Sequence, residues 1–208
     1  MKRDPLDIVA RGDALEQQFT APLTQAQRQQ LDRYFDERSP REAMVRACGP
    51  AVLELAEALE NAGVRPQAMF AVSMVPLLEV CWADGQVQAG ERDAMEKALV
   101  QHGFAADEIQ FTAVVLWLDN PPPPHLFQTW VRYIAALDEQ LFAGERKQLM
   151  ALLVDQARTI ARAAGGLLGI RSISEREERV IEKLQDAFSY PEQFADMWTW
   201  DRSESDSE

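Results

Sequence analysis

Apolar side chains recur every three or four residues along most of the chain, and no apolar–polar alternation lasts long enough to build a sheet. The pattern predicts an all-α fold, a compact helical bundle of about seven to eight helices. Thr24 starts a helix over 24–38 that carries Leu31, Tyr34 and Phe35. Pro40 suits the first turn of the next helix, which sets Leu53, Ala56 and Leu59 on one side and Glu54, Glu57 and Glu60 on the other. The Gly49-Pro50 pair should kink or split it, and Asn61 and Gly63 end it. Residues 66–83, PQAMFAVSMVPLLEVCWA, are apolar on most sides, which puts this helix at the centre of the bundle with a kink at Pro76. Helices over 89–102, 106–118, 125–137, 143–164 and 174–188 follow. They are parted by an Asp84-Gly85 turn, the Pro121 to Pro124 run and a glycine-rich stretch, 164–170.

One stretch is repeated. Residues 80–100, VCWADGQVQAGERDAMEKALV, align with residues 134–154, IAALDEQLFAGERKQLMALLV, with eight identities in 21 positions gathered at the turn. In each copy an apolar helix ends at an aspartate, a short turn follows, and a glutamate opens the next helix. The two hairpins therefore present Asp84 and Glu91 at one mouth, and Asp138, Glu139 and Glu145 at the other. Pseudo-symmetric packing would bring four or five carboxylates together, the oxygen donors that hard divalent cations such as Ca²⁺ or Mg²⁺ take. The same residues have a purely structural reading. Asp-Gly is a common turn, and a glutamate in a first helical turn favours the helix dipole whatever else it does. Both readings stand on the residues alone. The copies also differ, with Glu139 where the first has Gly85 and Phe142 where the first has Gln88.

Other chemistries find less support. Asp84, Gly85, Val87 and Glu91 match the second half of an EF-hand loop, but its first and third positions fall on Val80 and Trp82, which supply no oxygen ligands. A di-metal carboxylate bundle uses Glu-x-x-His, whereas Leu99 and Pro122 stand three residues before His102 and His125. His102 instead suits a helix C-terminus, and His125 opens a helix. Nucleophile-elbow, P-loop and dinucleotide fingerprints are missing, so no enzymatic activity is expected. Cys48 and Cys81 lack C-x-x-C spacing and sit in apolar helical contexts, as reduced, buried thiols do.

The charge balance of 34 acidic against 21 basic residues, a net −13, repels phosphate backbones and anionic headgroups and favours cations and basic protein surfaces. The expected partner is therefore a protein with a basic surface, with no nucleic acid and no membrane insertion. No apolar run approaches the roughly 18 residues of a membrane span, and the N-terminus lacks the apolar region of a signal peptide. A cytoplasmic location is expected.

The turn ADGQVQAGER after an apolar helix resembles the signature of TerB-like proteins, the family associated with tellurite resistance. The segment GGLLGIRSISEREERVIEKL, with Ser174 and Glu177 at capping-box spacing, is similar to the glycine-rich break and closing helix of that family. The resemblance covers residues 66–188. It implies a helical bundle in a stress-response setting whose helix-mouth carboxylates bind a divalent metal, with Asp84 and Glu91 at matching positions. Asp138 and Glu145 join through the internal repeat. On this reading residues 1–65 form an N-terminal helical extension packing on the bundle, 66–188 the TerB-like domain, and 189–208 an acidic, partly disordered tail whose Phe194, Trp198 and Trp200 dock on the bundle or meet a partner.

Overall fold

The computed structural model describes residues 5–101, 103–164 and 173–189. The expectations for His102, the glycine-rich stretch and the aromatic acidic tail fall outside the described residues. Ten α-helices and one 3₁₀ segment make up the described fold: α1 (Pro5–Phe19), α2 (Gln25–Asp36), α3 (Pro40–Cys48), the 3₁₀ segment Pro50–Glu54, α4 (Ala56–Asn61), α5 (Pro66–Cys81), α6 (Ala89–Gln101), α7 (Ile109–Asp119), α8 (Pro124–Asp138), α9 (Ala143–Ala164) and α10 (Glu175–Ser189).

This exceeds the expected seven to eight helices for two reasons. Pro50 ends one helix and opens a 3₁₀ turn, so the stretch 40–61 forms three short pieces. The other addition is α1, whose pattern is weak because Gly12 lies mid-helix, where glycine costs about 1 kcal/mol against alanine. Packing repays it. A Cβ on Gly12 would sit 3.3 Å from the Ala68 Cβ and 3.3 Å from the Tyr133 hydroxyl. The bare backbone thus lets α1 lie closely on α5 and α8, its main neighbours, with Ile8, Leu15 and Phe19 buried.

Helix α5 is the axis of the fold. Every residue from Gln67 to Cys81 is buried, and α1, α2, α3, α6, α7, α8, α9 and α10 all contact it. Pro76 inside it has no N–H for the Val72 carbonyl one turn back. The Trp130 indole of α8 supplies the missing donor at 2.9 Å, so the helix passes through its proline without an orphaned acceptor. The buried residues form one continuous cluster from Ile8 to Phe188. No described helix is long and apolar enough to cross a membrane.

Candidate functional site

The first hairpin mouth lies between α5 and α6. Helix α5 stops at Cys81, and the chain turns through Asp84 and Gly85, whose φ of 85° is the left-handed region that suits glycine. Glu91 occupies the third position of α6 and turns back to accept the Gln88 backbone N–H at 2.6 Å, half of a capping box. It is 2% exposed. Asp84 is half-buried and has no hydrogen bond or ion pair among the described residues.

At the second mouth, between α8 and α9, the shared sequence is used differently. Glu145 repeats the capping role, accepting the Phe142 N–H at 2.7 Å. Asp138, however, is the last residue of α8 instead of lying in the turn, and Glu139 after it has φ −73° where the first copy needs a left-handed glycine. Asp138 accepts from Arg146 at 2.6 Å. Its other oxygen, Oδ1, is buried without a hydrogen-bond partner among the described residues. Burial pushes the Asp138 carboxyl up, and Arg146 partly offsets this.

The matching arginine of the first copy is drawn elsewhere by the proline run. Pro121 and Pro122 have no N–H to offer the carbonyls of Trp117 and Leu118 at the end of α7. The Trp82 indole serves Trp117 at 2.8 Å, and Arg92 serves Leu118 at 3.2 Å while pairing with Asp119 at 2.7 Å. Arg92 thus caps α7 and pairs with Asp119, whereas Arg146 pairs with Asp138 at the second mouth.

A third buried carboxylate, from the far end of the chain, acts on the first mouth through its field. Glu177, third residue of α10, accepts the Ser174 N–H at 2.6 Å, and Ser174 Oγ accepts the Glu177 N–H at 3.2 Å, a complete capping box. Glu177 is 3% exposed, and its Oε1 has no hydrogen-bond partner among the described residues. Its capping spacing is visible in the sequence. The reach of its field to Glu91 is not, because it depends on α10 packing across α5, α8 and α9.

The three carboxylates act on one another. Burial pushes Glu91 up to about 7; the Gln88 N–H opposes this, and Glu177 and Asp84 add to it. Glu177 is also raised by burial, against its Ser174 hydrogen bonds and with a further push from Asp84. Cys81, buried at the end of α5, is driven well above the usual thiol range by burial and then by Glu91 and Glu177. That thiol is inert toward nucleophilic chemistry. Cys48 is likewise buried, accepts from Ser73 Oγ at 2.9 Å, and is pushed up to about 12.

The fields of Asp84 and Glu177 thus reach Glu91, whereas Asp138 and Glu145 have Arg146 and a backbone N–H as their partners. Among the described residues, no three His, Cys, Asp or Glu side chains are grouped so that they could hold a metal ion. Comparison of the chain with protein-family models, curated proteins and solved structures returned no match.

Proposed function

We propose that this chain is a non-catalytic, TerB-like helical protein that binds a divalent cation at the first hairpin mouth, through Asp84, Glu91 and Glu177. The observation that carries this reading is the burial of Glu91 and Glu177, with the fields of Glu177 and Asp84 raising Glu91, that of Asp84 raising Glu177, and Arg92 turned to the end of α7. Uncompensated like charges in a buried site are costly, and a cation would relieve them. The donor chemistry suits a hard ion, since all three side chains offer oxygen and Glu177 Oε1 lacks a hydrogen-bond partner among the described residues. Asp84, held by no hydrogen bond or ion pair among the described residues, is the member free to turn toward an incoming ion. The resemblance of ADGQVQAGER and of the α10 segment to TerB-like proteins supports the same assignment, together with a cytoplasmic, stress-response setting. Asp138 and Glu145 are less available, because an ion there would have to displace Arg146.

Bound Ca²⁺ or Mg²⁺ would supply positive charge and an oxygen-coordination demand. The chain's own contribution is to hold Glu91 and Glu177 by their capping hydrogen bonds, so that little side-chain freedom is lost on binding. Isothermal titration with Ca²⁺, Mg²⁺, Mn²⁺ and Zn²⁺ tests the reading. Saturable heat that Glu177→Gln weakens supports it; no heat and no change in melting temperature with any of them overturns it.

A second reading has its own observation: Glu91, Glu145 and Glu177 each already accept a backbone N–H before their helix at 2.6–2.7 Å. On this reading the carboxylates cap helices, and the protein is an interaction module whose acidic field docks a basic partner. A pull-down with the full chain and with a chain ending at Ser189 separates the two. Cation binding survives the truncation, while a tail-mediated contact does not.

A further inference from the structure

The run Pro121-Pro122-Pro123-Pro124 joins α7 to α8, and the cation reading gives its four consecutive rings no role. Asn120, Pro121, Pro122 and Pro123 each precede a proline, whose ring clashes with a helical backbone at the residue before it. No peptide bond among the described residues is cis. The segment is therefore a turn of left-handed polyproline II helix: Asn120 enters it extended, at φ −136° and ψ 130°, and Pro123 leaves it at φ −67° and ψ 147°. Such a helix repeats every three residues, and exposure follows that period. Pro121 and Pro124 are exposed, Pro122 is buried and Pro123 half-buried. Although α8 begins at Pro124, its ring keeps the register, because the ψ of Pro123 sets where it lies. One edge of the turn rests on the bundle. On the other, the Pro121 and Pro124 rings form an apolar ridge, about 9 Å apart along the axis.

The ridge is held at both ends. Trp82 and Arg92 donate to the Trp117 and Leu118 carbonyls before it, and the Leu126 N–H donates to the Pro123 carbonyl at 2.9 Å after it. Between these anchors the carbonyls of Pro121 and Pro122 accept no hydrogen bond among the described residues. The exposed edge thus offers two proline rings and an open acceptor at Pro121. Tryptophan and tyrosine match both, since each joins a flat apolar face to an N–H or O–H donor. We propose that the Pro121–Pro124 ridge docks a partner protein through a groove lined by tryptophan and tyrosine and rimmed by basic residues. The Pro121 and Pro124 rings seat against the aromatic faces, and a groove N–H or O–H donates to the Pro121 carbonyl. The basic rim follows from charge: the chain carries a net −13, and Asp119, at the start of the run, has a side chain 52% exposed. Because the turn is already formed, docking orders little backbone.

Isolated WW and EVH1 domains, chosen for an aromatic groove with a basic rim, serve as probes. Each is titrated into the full ¹³C-labelled chain, in chelator, and the proline ring signals are followed by NMR. The expected result is a saturable shift of the Pro121 and Pro124 signals with at least one domain. Pro121→Ala and Pro124→Ala should each weaken that binding about tenfold. Both positions are exposed, so neither change opens the core, and an unchanged melting temperature checks this. Should a variant not fold, the wild-type shift map decides: shifts centred on residues 119–125 support the proposal, and shifts centred elsewhere overturn it. No shift with either domain, or undiminished affinity in both variants, overturns it. Shifts of the same signals on concentrating the chain alone assign the ridge to a second copy and overturn it too.

Discussion

Pro76 and Trp130 are coupled through a single carbonyl: the proline withholds a donor from Val72, and the indole from the neighbouring helix replaces it at 2.9 Å. Trp130→Phe should therefore cost more than its change in packing, because it strands a buried acceptor, a penalty of about 1–3 kcal/mol. Pro76→Ala restores a helical N–H to Val72. In that background the cost of Trp130→Phe should shrink by about 1 kcal/mol, measurable as a coupling energy in a double-mutant cycle by urea unfolding.

Gln110 is the opposite case. It is fully buried on α7, and neither its side-chain oxygen nor its nitrogen has a hydrogen-bond partner among the described residues. Replacing an unsatisfied amide with an apolar side chain of similar length removes a desolvation penalty of about 1–3 kcal/mol. Gln110→Met is expected to raise the melting temperature, as read by circular dichroism. A fall would mean that the amide has a partner beyond the described residues.

The two hairpin mouths should respond differently to loss of their arginines. Arg146→Gln leaves the largely buried Asp138 without its partner, and because Arg146 itself is partly exposed the cost is about 1–3 kcal/mol. Adding Asp138→Asn should recover part of it. Arg92→Gln should act on the end of α7 instead, with no such rescue by Asp84→Asn. Chemical unfolding of the four variants checks this asymmetry.

Much of this was legible in the sequence because the features are local. Helix periodicity, the apolar run of α5, the split at Pro50 and the capping spacing of Ser174 and Glu177 each depend on neighbours within a turn or two. Helix α1 was not visible, since Gly12 weakens its pattern and is explained only by contact with Ala68 and Tyr133. The repeat also suggested an equivalence that does not extend to the arginines. Arg92 and Arg146 occupy identical motifs, but Arg92 answers a carbonyl left open by a proline some thirty residues away in sequence. The field of Glu177 reaches Glu91 only through the packing of α10, which no local pattern encodes.

Stability should fall as pH rises. Glu91 and Glu16 are each raised to about 7 from an ordinary 4.5, so the folded chain binds more protons than the unfolded one. Their contribution is fully present below about 4.5 and is lost as pH rises through about 7. Melting temperatures in chelator should therefore decline from pH 5 to pH 8. Glu91→Gln and Glu16→Gln should each remove part of that slope.

Cation binding reverses this dependence, since the ion requires the charged carboxylates that burial disfavours. The most direct measurement is calorimetric titration with Ca²⁺ or Mn²⁺ at pH 6.5 in two buffers of different ionisation enthalpy. Binding at Asp84, Glu91 and Glu177 predicts saturable heat that differs between the buffers, because Glu91 releases its proton to the solvent, and a loss of that difference in Glu91→Gln. Absence of heat in both buffers, or heat that is buffer-independent and unchanged in Glu91→Gln, would contradict the account.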